Sequence, residues 1–164
     1  MLQQHIVSQS NFGAQFNQAL LEQFHVMEQF DGVKKTHYFN GRFENIYLDE
    51  HHISSLIQLK ADAKRRAENI LNRPVEKMGF WFNAMSKGAV TTLHCHDDDD
   101  EQLSGVYYVS VPEGSGQLII HGPDSRYEHA PKQGQWVFFS PQTPHEVTEN
   151  LSNGCRLSIA FNFS

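Results

Sequence analysis

The chain has 164 residues, of which 39% are hydrophobic and 12% aromatic, which is enough apolar material for the core of one folded domain and excludes a disordered chain. Its formal net charge of −6 excludes a nonspecific nucleic-acid binder, which would need a Lys/Arg surface to neutralise phosphates. The 2 cysteines are too few for a disulfide framework, and no apolar run approaches the ~20 residues that span a bilayer, so we expect a cytoplasmic protein without a membrane segment.

Two helices are predicted in the first part of the chain. Apolar residues recur at helical spacing over 16–27, and Ser10 or Asn11 is expected to cap this helix. The same spacing over 53–71 predicts a second helix, which should end shortly before Pro74 because proline disfavours α geometry in the residue before it.

Between these helices, aromatic residues flank Asn40-Gly41 within 36–48, which predicts a β-hairpin with a type I′ turn or, equally, a loop over a site. From residue 77 onward, short strands alternate with turn residues, a pattern typical of a sandwich or barrel. The helices should then cover one face of it. The predicted strands are 78–85, 89–94, 103–111, 116–121, 135–140, 145–149 and 155–163.

We therefore predict one mainly β domain over residues 1–164. Residues 1–75 form its helical lead-in and hairpin, and residues 76–164 form a barrel core that carries the functional site.

A candidate metal site begins at His94-Cys95-His96. Side chains alternate along a strand, so His94 and His96 point to the same face, and His145 follows after a further strand and a turn. Three imidazoles leave positions open for water, substrate and oxygen, as a catalytic non-haem iron requires, whereas a structural zinc site fills all four. The H-x-H motif alone is weak, because two histidines at this spacing also occur by chance on a strand surface.

A second candidate feature is Arg156, which shares a strand face with Ser158. A guanidinium offers paired donors that suit a carboxylate, so both residues could reach the far carboxylate of a dicarboxylic co-substrate. The alternative is an arginine in a surface ion pair. The apolar sequence Ile159-Ala-Phe161 favours a buried strand, in which a charged group needs a partner.

These features stand within an ordered series of short motifs between residues 78 and 163. In them the chain resembles a family of 2-oxoglutarate/Fe(II) oxygenases, related at superfamily level to prolyl hydroxylases. The matching stretches are Trp81-Phe-Asn83, His94-Cys-His96, Leu103-Ser-Gly-Val-Tyr-Tyr-Val109, Pro131-Lys-Gln-Gly134, Phe138-Phe-Ser-Pro141, His145 and Arg156-Leu-Ser-Ile-Ala-Phe-Asn162.

The resemblance implies a double-stranded β-helix, a jelly-roll or cupin-like barrel, that oxidises a substrate while decarboxylating 2-oxoglutarate. It implies that His94 is the first Fe(II) ligand and His145 the distal one. It also implies that Arg156 binds the far carboxylate of 2-oxoglutarate with assistance from Ser158. The substrate is expected to be a small molecule or a peptide, and the N-terminal helices are candidates for a homodimer contact.

The chain departs from the superfamily at one position, because His96 stands where H-x-D or H-x-E proteins have a carboxylate. We expect His96 to be the third metal ligand, with Asp97 or Asp98 as alternatives. The neutral imidazole leaves the metal one charge unit more positive than a carboxylate would.

Two other functions remain open from the residues alone. The spacing of Gly88, His94, His96 and Glu101 fits a cupin metal motif, in which Glu101 would be the fourth ligand and 2-oxoglutarate would not be needed. The other is a non-enzymatic barrel that holds zinc or no metal. The side chains of Trp81, Asn83, Tyr107 and Tyr108 are assigned either to the pocket wall or to the core.

Overall fold

A computed structural model describes residues 5–96 and 100–164 of the chain. Its helices are α1 (Ala14–Met27) and α2 (Leu56–Leu71), and neither these nor any other helix in the described ranges is long and apolar enough to cross a membrane. The strands are β1 (Ile6–Gln9), β2 (Lys34–Phe39), β3 (Arg42–Tyr47), β4 (Met78–Met85), β5 (Thr91–His94), β6 (Leu103–Ser110), β7 (Leu118–His121), β8 (Arg126–His129), β9 (Gln135–Phe139), β10 (His145–Val147) and β11 (Arg156–Phe163).

The strands form two antiparallel sheets. The major sheet has the order β1-β9-β6-β11-β4-β3-β2 and the minor sheet the order β5-β10-β7-β8. From β4 to β11 the chain crosses repeatedly between the sheets, so strands that are distant in sequence become neighbours. This arrangement is the predicted double-stranded β-helix.

Both helices pack on the outer face of the major sheet, as predicted. Their apolar stripes join one hydrophobic cluster with the sheet, in which Leu20 and Phe24 of α1 and Leu59 of α2 are fully buried. The Phe24 ring stacks on Phe82 of β4 with 5.0 Å between centroids, and Trp136 of β9 lies in the same cluster. The other face of the major sheet is thereby left to face the minor sheet.

The structure differs from the prediction at the N-terminal cap of α1. The N-cap of α1 is Gly13 and has no side-chain hydrogen bond, so the expected cap at Ser10 or Asn11 is wrong. The Ser10 hydroxyl instead accepts a hydrogen bond from the Phe12 amide. Helix α2 ends at Leu71, as the nearby proline predicts.

The predicted hairpin is present as β2 and β3. Asn40 and Gly41 have φ angles of 49° and 78°, which are the positive values that a type I′ turn requires at both central positions. The hairpin forms one edge of the major sheet, and residues of this hairpin, which is not a loop, line the central cavity.

Candidate metal centre and pocket

Three histidines meet between the two sheets. His94 ends β5 and lies directly opposite His145, the first residue of β10, while His96 follows β5 with its amide donating to the Pro141 carbonyl. One nitrogen from each ring lies within 4.8 Å of one from each of the others. The ring centroids of His94 and His145 are 4.2 Å apart, and that of His96 is 5.2 Å from both.

Backbone carbonyls orient two of these rings. Nδ1 of His94 lies 2.6 Å from the Thr92 carbonyl oxygen, and Nδ1 of His145 lies 3.0 Å from that of Thr143. Because a carbonyl oxygen only accepts, each ring carries its proton on Nδ1 and keeps an unprotonated Nε2. This is the tautomer in which Nε2 can bind a metal, with the outer hydrogen bond fixing the ring orientation.

Burial favours the neutral form of His145. It lowers the pKa of His145 to about 3, with the neighbouring His94 adding to this shift and the Thr143 carbonyl opposing it. A metal competes with protons for imidazole nitrogen, so a histidine that stays unprotonated at neutral pH is ready to coordinate. The donor set therefore fits a divalent transition metal such as Fe(II).

Of the carboxylates considered as further ligands, Glu101 is the one among the described residues. One oxygen of Glu101 accepts a hydrogen bond from Asn162 Nδ2 at 2.8 Å, and Glu101 does not belong to the metal-ligating group found among the described residues. Glu101 lines the same cavity as the three histidines but lies outside their group, so the described residues favour a three-histidine site over the cupin-type set. Asp97 and Asp98 lie outside the described residues.

The histidines line a cavity of about 490 Å³ between the sheets. Trp81, Asn83 and Tyr108 line it too, with the Trp81 ring centroid 5.5 Å from that of His96. Tyr107 does not: its side chain lies in the cluster under the helices and donates to Asn17 Oδ1 at 2.6 Å. The two adjacent tyrosines thus divide between pocket and core, because neighbouring strand residues face opposite sides.

Arg156 lines the same cavity and is 1% exposed. Its guanidinium carbon lies 5.3 Å above the Tyr108 ring, and Nη1 makes a 3.6 Å contact with Met85 Sδ. Nε and Nη2 of Arg156 and the Tyr108 hydroxyl are buried without a hydrogen-bond partner in the described part of the chain. No carboxylate there forms a salt bridge with Arg156 either.

Burial shifts both of these groups towards their neutral forms. It lowers the pKa of Arg156, which Tyr108 opposes, and it raises the pKa of Tyr108, which the Arg156 charge opposes. Ser158 is buried on the same face of β11 and also lines the cavity. Buried donor groups that line a cavity and lack a carboxylate partner are suited to bind the oxygens of an anion.

The sequence predicts that the hairpin segment could lie over a site, but it does not identify which hairpin residues contribute to it. His37, Glu44, Asn45 and Tyr47 all line the cavity. The hairpin itself could be predicted, but no pattern within it indicates which of its residues turn inward.

Comparison with known proteins agrees with this geometry. Residues 80–164 match the family described as the 2OG-Fe(II) oxygenase superfamily. Among proteins with curated descriptions, none matches the chain at a significant level.

Several solved structures share the fold. A prolyl-4-hydroxylase of Pseudomonas putida is 21% identical, with 97% of this chain and 91% of that chain covered and a TM-score of 0.78. A prolyl hydroxylase of Trichoplax adhaerens, solved with a peptide fragment of a hypoxia inducible factor, is 15% identical over 97% and 82% of the two chains, with a TM-score of 0.77. A non-heme alpha ketoglutarate dependent epimerase of nogalamycin biosynthesis is 12% identical over 98% and 77%, with a TM-score of 0.79.

Proposed function

Since the chain belongs to the 2OG-Fe(II) oxygenase superfamily and is an oxidoreductase that uses Fe(II) and 2-oxoglutarate, we propose that its iron is held by His94, His96 and His145. We further propose that Arg156, assisted by Ser158 and the Tyr108 hydroxyl, binds the far carboxylate of 2-oxoglutarate.

The observation that carries this proposal is the buried charge of Arg156, which has no salt-bridge partner among the described residues. A guanidinium that is 1% exposed and forms no salt bridge among the described residues is costly unless an anion joins it. It lines the same cavity as the histidine cluster, so one dicarboxylate could contact both. An arginine with a purely structural role would instead be paired with a carboxylate of the protein.

Three neutral imidazoles bring no charge to the metal, which therefore keeps its full 2+ charge. The dianion 2-oxoglutarate offsets that charge at its keto-acid end, while Arg156 offsets the other carboxylate. In relatives with a carboxylate ligand, the protein itself supplies one of these negative charges. We therefore expect the affinity for 2-oxoglutarate to depend strongly on whether the metal is present.

The residues of the chain bind and orient the reactants. When bound, Fe(II) supplies the redox chemistry that couples 2-oxoglutarate decarboxylation to oxidation of the substrate. Thr92 and Thr143 hold the ligand rings through their carbonyl oxygens. Arg156 binds the far carboxylate and thereby orients the co-substrate. The aromatic walls at Trp81 and Phe139 reduce the access of water to the metal.

The substrate, the domain organisation, the location and the oligomeric state are still predictions from the sequence. We propose a small molecule or a peptide as substrate, for which the peptide bound to the Trichoplax prolyl hydroxylase gives support by analogy of fold. The single-domain organisation, the cytoplasmic location and a homodimer through the helices remain predictions.

The test is succinate formation in air with Fe(II), with and without 2-oxoglutarate. We expect succinate only when both are present, and a rate at least about tenfold lower for the metal-ligand variant His145→Ala. The control His25→Ala replaces a histidine of α1 outside the cavity and should keep the wild-type rate. Equal succinate formation by His145→Ala would exclude the proposed iron site.

A further inference from the structure

The strand that carries His94 is poorly held by its own sheet. β5 lies at the edge of the minor sheet, and among the described strands it pairs with β10 alone. Its ladder is irregular just before the metal site, since His94 pairs with His145 but the next pair is Thr91 with Val147. Such a bulge interrupts the backbone hydrogen bonds and changes the direction of the side chains that follow. Something outside the sheet must therefore fix Thr92, the residue whose carbonyl orients the His94 ring.

Arg42, the first residue of β3, supplies part of this support from the opposite sheet. Its Nη2 donates to the Val90 carbonyl at 2.8 Å and lies 3.5 Å from Thr91 Oγ1. Its Nη1 donates to Asn83 Oδ1 at 3.0 Å and to the Ala84 carbonyl at 3.1 Å. One guanidinium thus joins the end of β4 to the start of β5.

Glu44 supports the following residue. Its carboxylate accepts from the Thr92 amide at 3.2 Å and from the Thr92 hydroxyl, and it lies 4.0 Å from Arg42 Nη2. The side chains of Glu44 and Arg42 are only 11% and 17% exposed, so this pair is shielded from water. The Thr92 carbonyl then accepts the Nδ1 proton of His94 at 2.6 Å.

A second set of contacts runs from Arg42 towards Arg156. Asn83 Nδ2 donates to Thr91 Oγ1 at 2.8 Å, and the Thr91 hydroxyl donates to Met85 Sδ at 3.4 Å. Met85 Sδ also contacts Arg156 Nη1. The same hairpin arginine is therefore connected to the metal ligand on one side and to the co-substrate anchor on the other.

We propose that Arg42 and Glu44 are positioning residues: Glu44 fixes the Thr92–His94 segment that presents a metal ligand, and Arg42 fixes both this segment and the Arg156 side chain. The inference rests on the proposed function, because it assigns these residues to the metal and co-substrate sites named there. Neither residue belongs to the group of three histidines, although Glu44 lines the same cavity.

The test uses Co(II) alone as the probe, because its visible absorption spectrum reports coordination geometry as well as occupancy. Glu44→Ala should weaken Co(II) binding roughly 10- to 100-fold and alter the spectrum, as is usual for partners that orient metal ligands. Glu44→Gln keeps an oxygen that can accept from the Thr92 amide and should restore most of the affinity. Arg42→Met should weaken both Co(II) binding and the 2-oxoglutarate affinity of the Co(II)-loaded protein.

The chain offers a matched control pair. Arg126 and Glu128 have the same spacing on β8 and form a 3.2 Å ion pair, but their side chains are 57% and 53% exposed. Glu128→Ala and Arg126→Met should leave Co(II) affinity, the spectrum and 2-oxoglutarate affinity unchanged. If Glu44→Ala does not fold, Thr92→Val removes only the hydroxyl that contacts Glu44, and it should still weaken Co(II) binding several-fold.

The outcomes separate the two proposals. If folded Glu44→Ala binds Co(II) with the affinity and spectrum of the wild type, the positioning role is overturned and the proposed function is left intact. The same holds for Thr92→Val where that variant replaces Glu44→Ala. A wild-type protein that takes up no Co(II) would overturn both. A loss of affinity in Glu44→Ala that Glu44→Gln does not restore would also contradict the hydrogen-bonding argument.

Discussion

Replacement of Arg156 by methionine should have opposite effects on stability and on co-substrate binding. In the metal-free protein, Arg156 is a buried cation without a salt-bridge partner in the described ranges, so its desolvation is only partly offset by the Tyr108 ring. Methionine has a similar reach and no charge. Replacing buried ionic groups by apolar side chains is often neutral or stabilises proteins by about 1–4 kcal/mol. We expect a gain within that range for Arg156→Met.

Binding of 2-oxoglutarate should change in the other direction. Truncating one partner of a buried, hydrogen-bonded charge pair costs about 2–5 kcal/mol, which corresponds to a roughly 30- to 4000-fold weaker affinity. The histidines are untouched, so metal affinity should stay close to that of the wild type.

Thermal unfolding with and without Co(II) and 2-oxoglutarate measures both effects. Metal-free Arg156→Met should unfold at a higher temperature than the wild type. Addition of 2-oxoglutarate to the Co(II)-loaded proteins, at a concentration near the wild-type Kd, should then measurably stabilise the wild type only, because a ligand stabilises the folded state by mass action. A variant that is less stable when metal-free and still gains stability from 2-oxoglutarate would refute this reasoning.

Three further predictions address the ligands and the core. In the metal-free protein, the pKa of His145 is lowered to about 3 from 6.5, so between these values the unfolded state binds one proton more and stability falls as the pH decreases. Urea titrations from pH 5.5 to 4.5 should show a loss about 1.4 kcal/mol per pH unit steeper in the wild type than in His145→Asn, and equal slopes would contradict the buried neutral ring. His96→Ala should weaken Fe(II) binding at least about tenfold in an anaerobic titration, and unchanged affinity would mean that another residue is the third ligand. Gly105→Ala would place Cβ 2.8 Å from the Phe138 ring and should lower the free energy of unfolding by about 1–3 kcal/mol. Gly79→Ala is the control, because a Cβ there meets no atom within 4 Å. Similar denaturation midpoints for the two variants would refute the packing argument.

The parts of the fold that follow from local patterns could be predicted from the sequence. Alternating apolar residues and turn residues indicate β4 and β6, and the Asn40-Gly41 pair fixes its own turn. The short edge strands β1 and β8 were missed, because four residues with an exposed face give little periodic signal. The cap of α1 was also missed, since its N-terminus depends on how the chain leaves β1.

The site was predictable where its residues share a strand face and not where they meet across the sheets. The pairing of His94 with His145 follows once their strands become neighbours. Arg42 and Glu44 contact residues nearly 50 positions later, and only the position of the hairpin over β4 and β5 brings them there. No periodicity within the hairpin encodes that contact.

The most direct test of the central claim is a structure of the protein determined without oxygen, with Fe(II) and 2-oxoglutarate bound. The account predicts a metal bound to one nitrogen each of His94, His96 and His145, with the far carboxylate of 2-oxoglutarate within hydrogen-bond distance of Arg156 Nε or Nη2. A metal held by Glu101 or by an aspartate in place of His96, or a co-substrate whose carboxylate lies away from Arg156, would contradict it.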